Sequence, residues 1–131
     1  MKIKLASIMV DDQNKALKFY TEKLGFQVKM DIPMGEAKWI TLVSPEEPDG
    51  PEIPLEPDSN PMLDGAAIEF KKALKEKGIP YTAYETDDIQ RDYNLFKERG
   101  VEFKSEPQQT GPVTQTVFDD TCGNLIMIYQ Q

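Results

Sequence analysis

Two stretches decide the fold. Residues 10–29 read VDDQNKALKFYTEKLGFQVK, and residues 86–104 read TDDIQRDYNLFKERGVEFK. Each opens on an Asp-Asp pair, runs through a helix-length amphipathic segment, reaches a Gly and continues into a short alternating apolar run. Asp11 and Asp12 match Asp87 and Asp88. Phe19-Tyr20 match Leu95-Phe96, and Gly25 matches Gly100, with one residue fewer before the Gly in the second copy. A repeat on this scale marks two related halves. A site at their junction is then to be sought at matching positions of both.

Working outward from the first copy, residues 2–10 are rich in strand formers. Asp11 or Asp12 can cap the helix by accepting orphan N–H bonds. Leu17, Tyr20 and Leu24 recur at spacings of three and four, which makes one apolar stripe. Gly25 stops the helix. Residues 26–32 and 38–43 read as strands, with Pro33-Met34-Gly35 turning between them. Residues 44–51, SPEEPDGP, form a polar loop whose acidic run is expected to be solvated. Residues 52–56 are a short strand, at a sheet edge or irregular because Pro54 has no N–H to donate. Ala67, Phe70 and Leu74 mark a second helix, closed by Lys75, Lys77 and Gly78. The second half repeats the order. A strand at 80–85 leads to a helix capped by Asp87 or Asp88, then to strands at 101–104, 110–118 and 125–129. Each half is thus a βαβββ module. The expected fold class is α+β, a single domain over 1–131. Module one covers 1–58, the connecting helix 59–79 and module two 80–131.

Composition narrows the chemistry. The chain has 131 residues and no histidine. No Ser-His or Cys-His relay is possible, nor a metal triad of two histidines and a carboxylate. Cys122 is the single cysteine, so neither an internal disulfide nor a cysteine metal cluster can form. The neighbouring Asp119 and Asp120 work against a reactive thiolate. A net charge of −8 disfavours nucleic acid as a partner. No apolar run reaches the roughly 20 residues of a membrane helix. The short apolar start also lacks the features of a signal peptide. The expected location is cytoplasmic.

VDDQNKALKFYTEKLGF, WITLVSPE, TDDIQRDYNLFKERGVEF and FDDTCGNLIMIY together resemble the vicinal-oxygen-chelate superfamily of glyoxalases, bleomycin-resistance proteins and extradiol dioxygenases. The resemblance implies two modules whose paired curved sheets enclose a central cup, and commonly a homodimer. In catalytic members a metal sits in the cup on His, Glu or Gln, and polarises two adjacent substrate oxygens. The resemblance carries no particular reaction, because the fold hosts many chemistries and some members that only bind.

Counting from the Asp pairs places the family's first-strand ligand positions at Leu5 and Tyr81. The last-strand position after Gly-Asn-Leu-Ile is Met127, and aligning Gly50 with Gly123 gives Pro54 as its counterpart. None is a usual ligand for a hard or borderline ion. No metal and no cofactor are therefore expected. Glu52 and Glu56 share a strand face with Pro54 and would enter the cup after a two-residue register shift. Helix capping accounts for both Asp pairs without a cation.

The candidate ligand-binding residues are Leu5, Trp39, Thr41, Glu52, Tyr81, Gln115 and Met127. Leu5, Trp39, Tyr81 and Met127 would form the apolar lining; Thr41, Glu52 and Gln115 would orient the ligand. Three functions follow. The first is binding of a small molecule without metal chemistry. The second is a divergent glyoxalase-type lyase or isomerase using Glu52 or Glu56 with a metal. The third is a non-catalytic interaction or regulatory protein.

Overall fold

A computed structural model describes all residues, 1–131. The chain forms nine strands and three main helices in two compact units, Met1–Phe70 and Lys71–Gln131. The mixed α+β class and the two sheets are as the sequence indicates.

In the first unit β1 (Ile8–Val10) leads into α1 (Gln13–Lys18), which continues as a π-helical turn over Phe19–Lys23. The strands β2 (Gln27–Met34), β3 (Ala37–Val43) and β4 (Ile53–Pro57) follow, and the sheet order is β1-β4-β3-β2. Ile8, Val10, Ile40, Leu42 and Leu55 are buried together with Ala16, Phe19 and Tyr20 of the helical segment. These residues are the first core.

Helix α2 (Ala66–Glu76) links the halves, and the boundary between units falls inside it. In the second unit β5 (Thr82–Glu85) precedes α3 (Ile89–Glu98). Then come β6 (Glu102–Phe103), β7 (Gln108–Thr110), β8 (Val113–Asp119) and β9 (Leu125–Gln130). The order is β5-β9-β8-β6, with β7 also paired to β8. Tyr93 packs edge-on against Phe103, and Phe103 against Phe118. With Ile89, Ile126 and Ile128 they make the second core.

The repeat is physical as well as textual. In both copies the second Asp is the cap: Asp12 accepts from the Lys15 N–H and Asp88 from the Arg91 N–H, each at 3.0 Å. The first Asp of each pair bridges the same basic residue, Asp11 with Lys15 and Asp87 with Arg91. Gly25 and Gly100 both take positive φ, as glycine tolerates at a helix C-terminus. The extra residue of the first copy is taken up in the π turn at Phe19–Lys23, the usual way a helix accommodates one more residue. The third helix, one residue shorter to its Gly, has no such turn.

Two boundaries differ from the sequence reading, and one open alternative is decided. Strand β2 runs through Pro33, which lies opposite Lys38, so the turn is at Gly35-Glu36 instead. The run expected as one strand at 110–118 is a hairpin, β7 and β8 joined by Gly111-Pro112, with φ +62 at Gly111. β4 is not an edge strand, since it lies between β1 and β3. It is irregular at Pro54 as foreseen: pairing to β1 consists of a bridge at Leu5–Glu52 and a ladder from Ile8–Leu55, with Pro54 in the gap.

The matched caps predict matched costs. Asp12→Ala and Asp88→Ala should each lower unfolding stability by about 1 kcal/mol in urea titrations, without changing the denaturant slope. A change below about 0.3 kcal/mol in either would show that the side-chain cap contributes little there.

Candidate functional site

The seven candidate residues fall into two groups, one in each unit. In the first unit, the Ala6 N–H donates to the Glu52 carbonyl and the Glu52 N–H to the Lys4 carbonyl, which sets Leu5 beside Glu52. The Glu52 carboxylate accepts the Thr41 hydroxyl at 2.7 Å, and Lys29 Nζ lies 3.7 Å from its other oxygen. The Glu52 side chain is only 12% exposed and Thr41 is fully buried. Trp39, two residues from Thr41, points to the same side of β3. Directly opposite residues share a face, so Met30 stands beside Thr41, Ile32 beside Trp39 and Met34 beside Ala37. Leu5, Met30, Ile32 and Met34 are all exposed. One carboxylate with a fixed orientation thus sits in an open, largely apolar sheet face. The sequence marks Thr41 and Glu52 separately; their contact, and Lys29 beside it, follow only from the register.

In the second unit, the Tyr81 N–H donates to the Leu125 carbonyl at 2.8 Å. Met127 lies between Ala83 and Val117, and Gln115 between Tyr129 and Gln108. Gln115 alone of these three lines the cavity of this unit, a hollow of about 390 Å³ whose wall also includes Lys75, Lys104, Ser105, Gln108, Val117 and Leu125. None of those six neighbours was singled out as a site residue from sequence. In the sequence Lys75 carries no signal beyond that of a helix-closing cation, and residues 105–109 none beyond that of a connection.

The family's metal positions can be checked by the ladders. β1–β4 pairs Ile8 with Leu55, and β5–β9 pairs Tyr84 with Ile128. The same offsets make Leu5 equivalent to Tyr81 and Pro54 to Met127. Leucine and proline side chains have no donor atom, methionine sulfur suits soft ions, and tyrosine must first lose its proton. No three His, Cys, Asp or Glu residues converge anywhere in the chain. Glu56 is four residues from Glu52 along the chain, about 13 Å at strand rise, so the two cannot grip one ion. This donor set does not fit the family's divalent metal.

Three ionisable groups of the second unit have displaced pKa values, and that of the exposed Arg91 is raised by its hydrogen bonds to Asp92 and Asp87. Burial works to raise that of Asp119. The Lys75 ammonium at 3.0 Å, the Thr121 N–H, and the charges of Lys75 and Lys104 more than offset this, and the net shift is downward. Tyr84 moves up because it is buried, with the Asp120 charge and Tyr81 adding to the effect. Its phenol stays protonated and is no base. Asp120 itself accepts the N–H groups of Cys122 and Asn124 and the Asn124 amide, which shapes the β8–β9 turn. Buried Lys71 donates to the Cys122 carbonyl at 2.6 Å, which ties α2 to that turn.

With the geometry in place, the kinship is clear. This chain belongs to the glyoxalase/bleomycin resistance protein/dioxygenase superfamily, whose family model matches residues 2–128. The Bacillus subtilis protein YurT is 54% identical over 131 residues, the whole of both chains. Among solved structures, UcmS2 matches with TM-score 0.85 and 30% identity, covering 98% of this chain and 97% of its own. TnmS3, described as an antibiotic binding protein from Streptomyces sp. CB03234, matches with TM-score 0.77 and 26% identity, over 99% and 95%. No helix is long and apolar enough to cross a membrane.

The lowered Asp119 pKa gives a pH prediction. A carboxyl with a depressed folded-state value contributes stability above its unfolded pKa, and that contribution is lost as pH falls through the folded one. Wild type should therefore lose more stability than Asp119→Asn between about pH 4.5 and pH 2. Parallel acid-melting curves for the two proteins would show the ion pair to be negligible.

Proposed function

We propose that the chain is a cytoplasmic, homodimeric protein that binds a small organic molecule without metal chemistry, all 131 residues acting as one functional domain. The ligand in this reading is mostly apolar or aromatic and carries an amine or another hydrogen-bond donor. The observation that carries it is the Glu52 carboxylate, oriented by the buried Thr41 hydroxyl at 2.7 Å within a face of Leu5, Met30, Ile32 and Trp39. Binding sites are commonly built this way, with a broad apolar surface and few fixed polar groups. A ligand donor would compete with Lys29, whose hold on Glu52 is loose at 3.7 Å. The likeness to TnmS3, an antibiotic binding protein, supports the same reading. So does the donor set at Leu5, Pro54, Tyr81 and Met127.

The dimer leaves that face open and rests on exposed apolar residues elsewhere, Met62, Ile68 and Phe70. Exposed apolar residues of this kind are commonly covered by another surface. Light scattering should give about twice the chain mass of 14.9 kDa; a monomer at working concentration removes this part of the proposal.

The test of binding is a thermal-shift screen of cationic and neutral aromatic compounds, followed by calorimetry with and without chelator. A hit should raise the melting temperature equally in both conditions. Trp39→Ala should weaken it at least about tenfold, which corresponds to 1.4 kcal/mol. Glu52→Gln should weaken amines but spare neutral analogues. No shift across the library would sink the binding reading. Titration of stripped protein with Ni²⁺, Zn²⁺, Mn²⁺ and Fe²⁺ should show no stoichiometric uptake. One ion per chain, lost in Glu52→Ala, would instead favour a metal-dependent lyase or isomerase of glyoxalase type, to be decided by glyoxalase-type activity assays.

A further inference from the structure

The second unit's cavity has a charge character opposite to that of the Glu52 face. Two ammonium groups line it, on a chain with a net charge of −8. Lys75 is committed, since it holds Asp119 at 3.0 Å. The one carboxylate in the wall, Glu76, is two-thirds exposed and 4.0 Å from Lys72. Lys104 is different. It forms no ion pair within 4.0 Å and acts on Asp119 only through its charge, while its backbone N–H is fixed to the Val117 carbonyl at 2.8 Å.

The Asp119 carboxylate is already occupied by the Lys75 ammonium and the Thr121 N–H. It leaves the positive charge of Lys104 largely unspent. Around that charge stand neutral hydrogen-bonding groups on adjacent strands. Gln108 lies opposite Gln115 in the β7–β8 ladder, the Gln115 amide makes only a long 3.3 Å bond to Thr110, and Ser105 completes the rim. Val117 and Leu125 supply an apolar floor. At about 390 Å³ the hollow falls within the roughly 300–1,000 Å³ of small-molecule sites.

We propose that this cavity binds a small organic anion, its carboxylate or phosphate group on the Lys104 ammonium and the Gln108 and Gln115 amides, and its uncharged body on Val117 and Leu125. The site lies wholly within the second unit and does not depend on the Glu52 face. Lysine serves here as a point charge that accepts either anion geometry, so the two sources must be separated by experiment.

The experiment is a titration of the full chain followed by backbone amide NMR, with benzoate, phenyl phosphate and the uncharged isostere benzamide. Benzoate or phenyl phosphate should shift the amides of Ser105, Gln108 and residues 115–117 saturably, and the tighter of the two identifies the anion class. Benzamide should bind at least about tenfold more weakly. Lys104→Met should cost about tenfold in affinity, Lys104→Arg should retain most of it, and Glu52→Gln should leave it unchanged. Lys104 is exposed, so these variants keep the fold, and their unperturbed spectra would verify that. The proposal is overturned if no saturable shift occurs up to about 10 mM, if benzamide matches benzoate, or if Lys104→Met binds like wild type.

Discussion

Each half of this chain is organised by one requirement: its first strand must lie parallel to its last. Parallel neighbours cannot be joined by a tight turn and need a long connection. Here that connection is a capped helix followed by antiparallel strands. The caps at Asp12 and Asp88 start the two helices at equivalent places, and Ile8–Leu55 and Tyr84–Ile128 are the resulting parallel pairs. Everything at the candidate sites inherits its position from these ladders. Glu52 meets Thr41 because β4 is fixed against both β1 and β3. Gln115 reaches the cavity because β8 lies between β9 and β7.

Much of this was legible in the sequence because the repeat carries local signals. An Asp before an apolar stripe and a Gly after it mark a helix whatever surrounds them, and both copies keep them. Even the missing residue had a structural meaning, found in the π turn at Phe19–Lys23. The β7 hairpin was less legible. Residues 105–109, SEPQQ, have no alternation and contain a proline, so they read as a loop. They pair as a strand only because Gly111-Pro112 turns them onto β8. Periodicity cannot show a strand whose side chains are nearly all polar and exposed.

The site residues divide along the same line. Leu5 is reached by counting from the Asp pair, Glu52 by the strand face it shares with Pro54 and Thr41 as a polar group in a strong strand, and the structure brings them together. Lys104 and Gln108 belong to no motif, since a lone lysine and a glutamine in a polar stretch carry no pattern. Their proximity to Gln115 is a product of strand pairing, which sequence separation conceals. Lys29 is a similar case. It lies at the bulge of β2 between Val28 and Met30, where the register slips. An irregular ladder decides which way its side chain leaves the sheet.

The two halves also show why a fold of this kind tolerates change at the family's metal positions. At the family's ligand positions the side chains are Leu5, Pro54, Tyr81 and Met127; Leu5 is exposed, Tyr81 and Met127 are half-buried, and Pro54 alone is fully buried. The sheets are held by backbone pairing and by the two cores. Even Pro54, which removes a donor from a central strand, is accommodated by a gap in one ladder while Thr41 still pairs with it on the other side. Substitution at Leu5, Tyr81 or Met127 therefore changes what the surface recognises without threatening the scaffold. The two halves have diverged in that freedom: one now presents a carboxylate among apolar side chains, the other a lysine among amides.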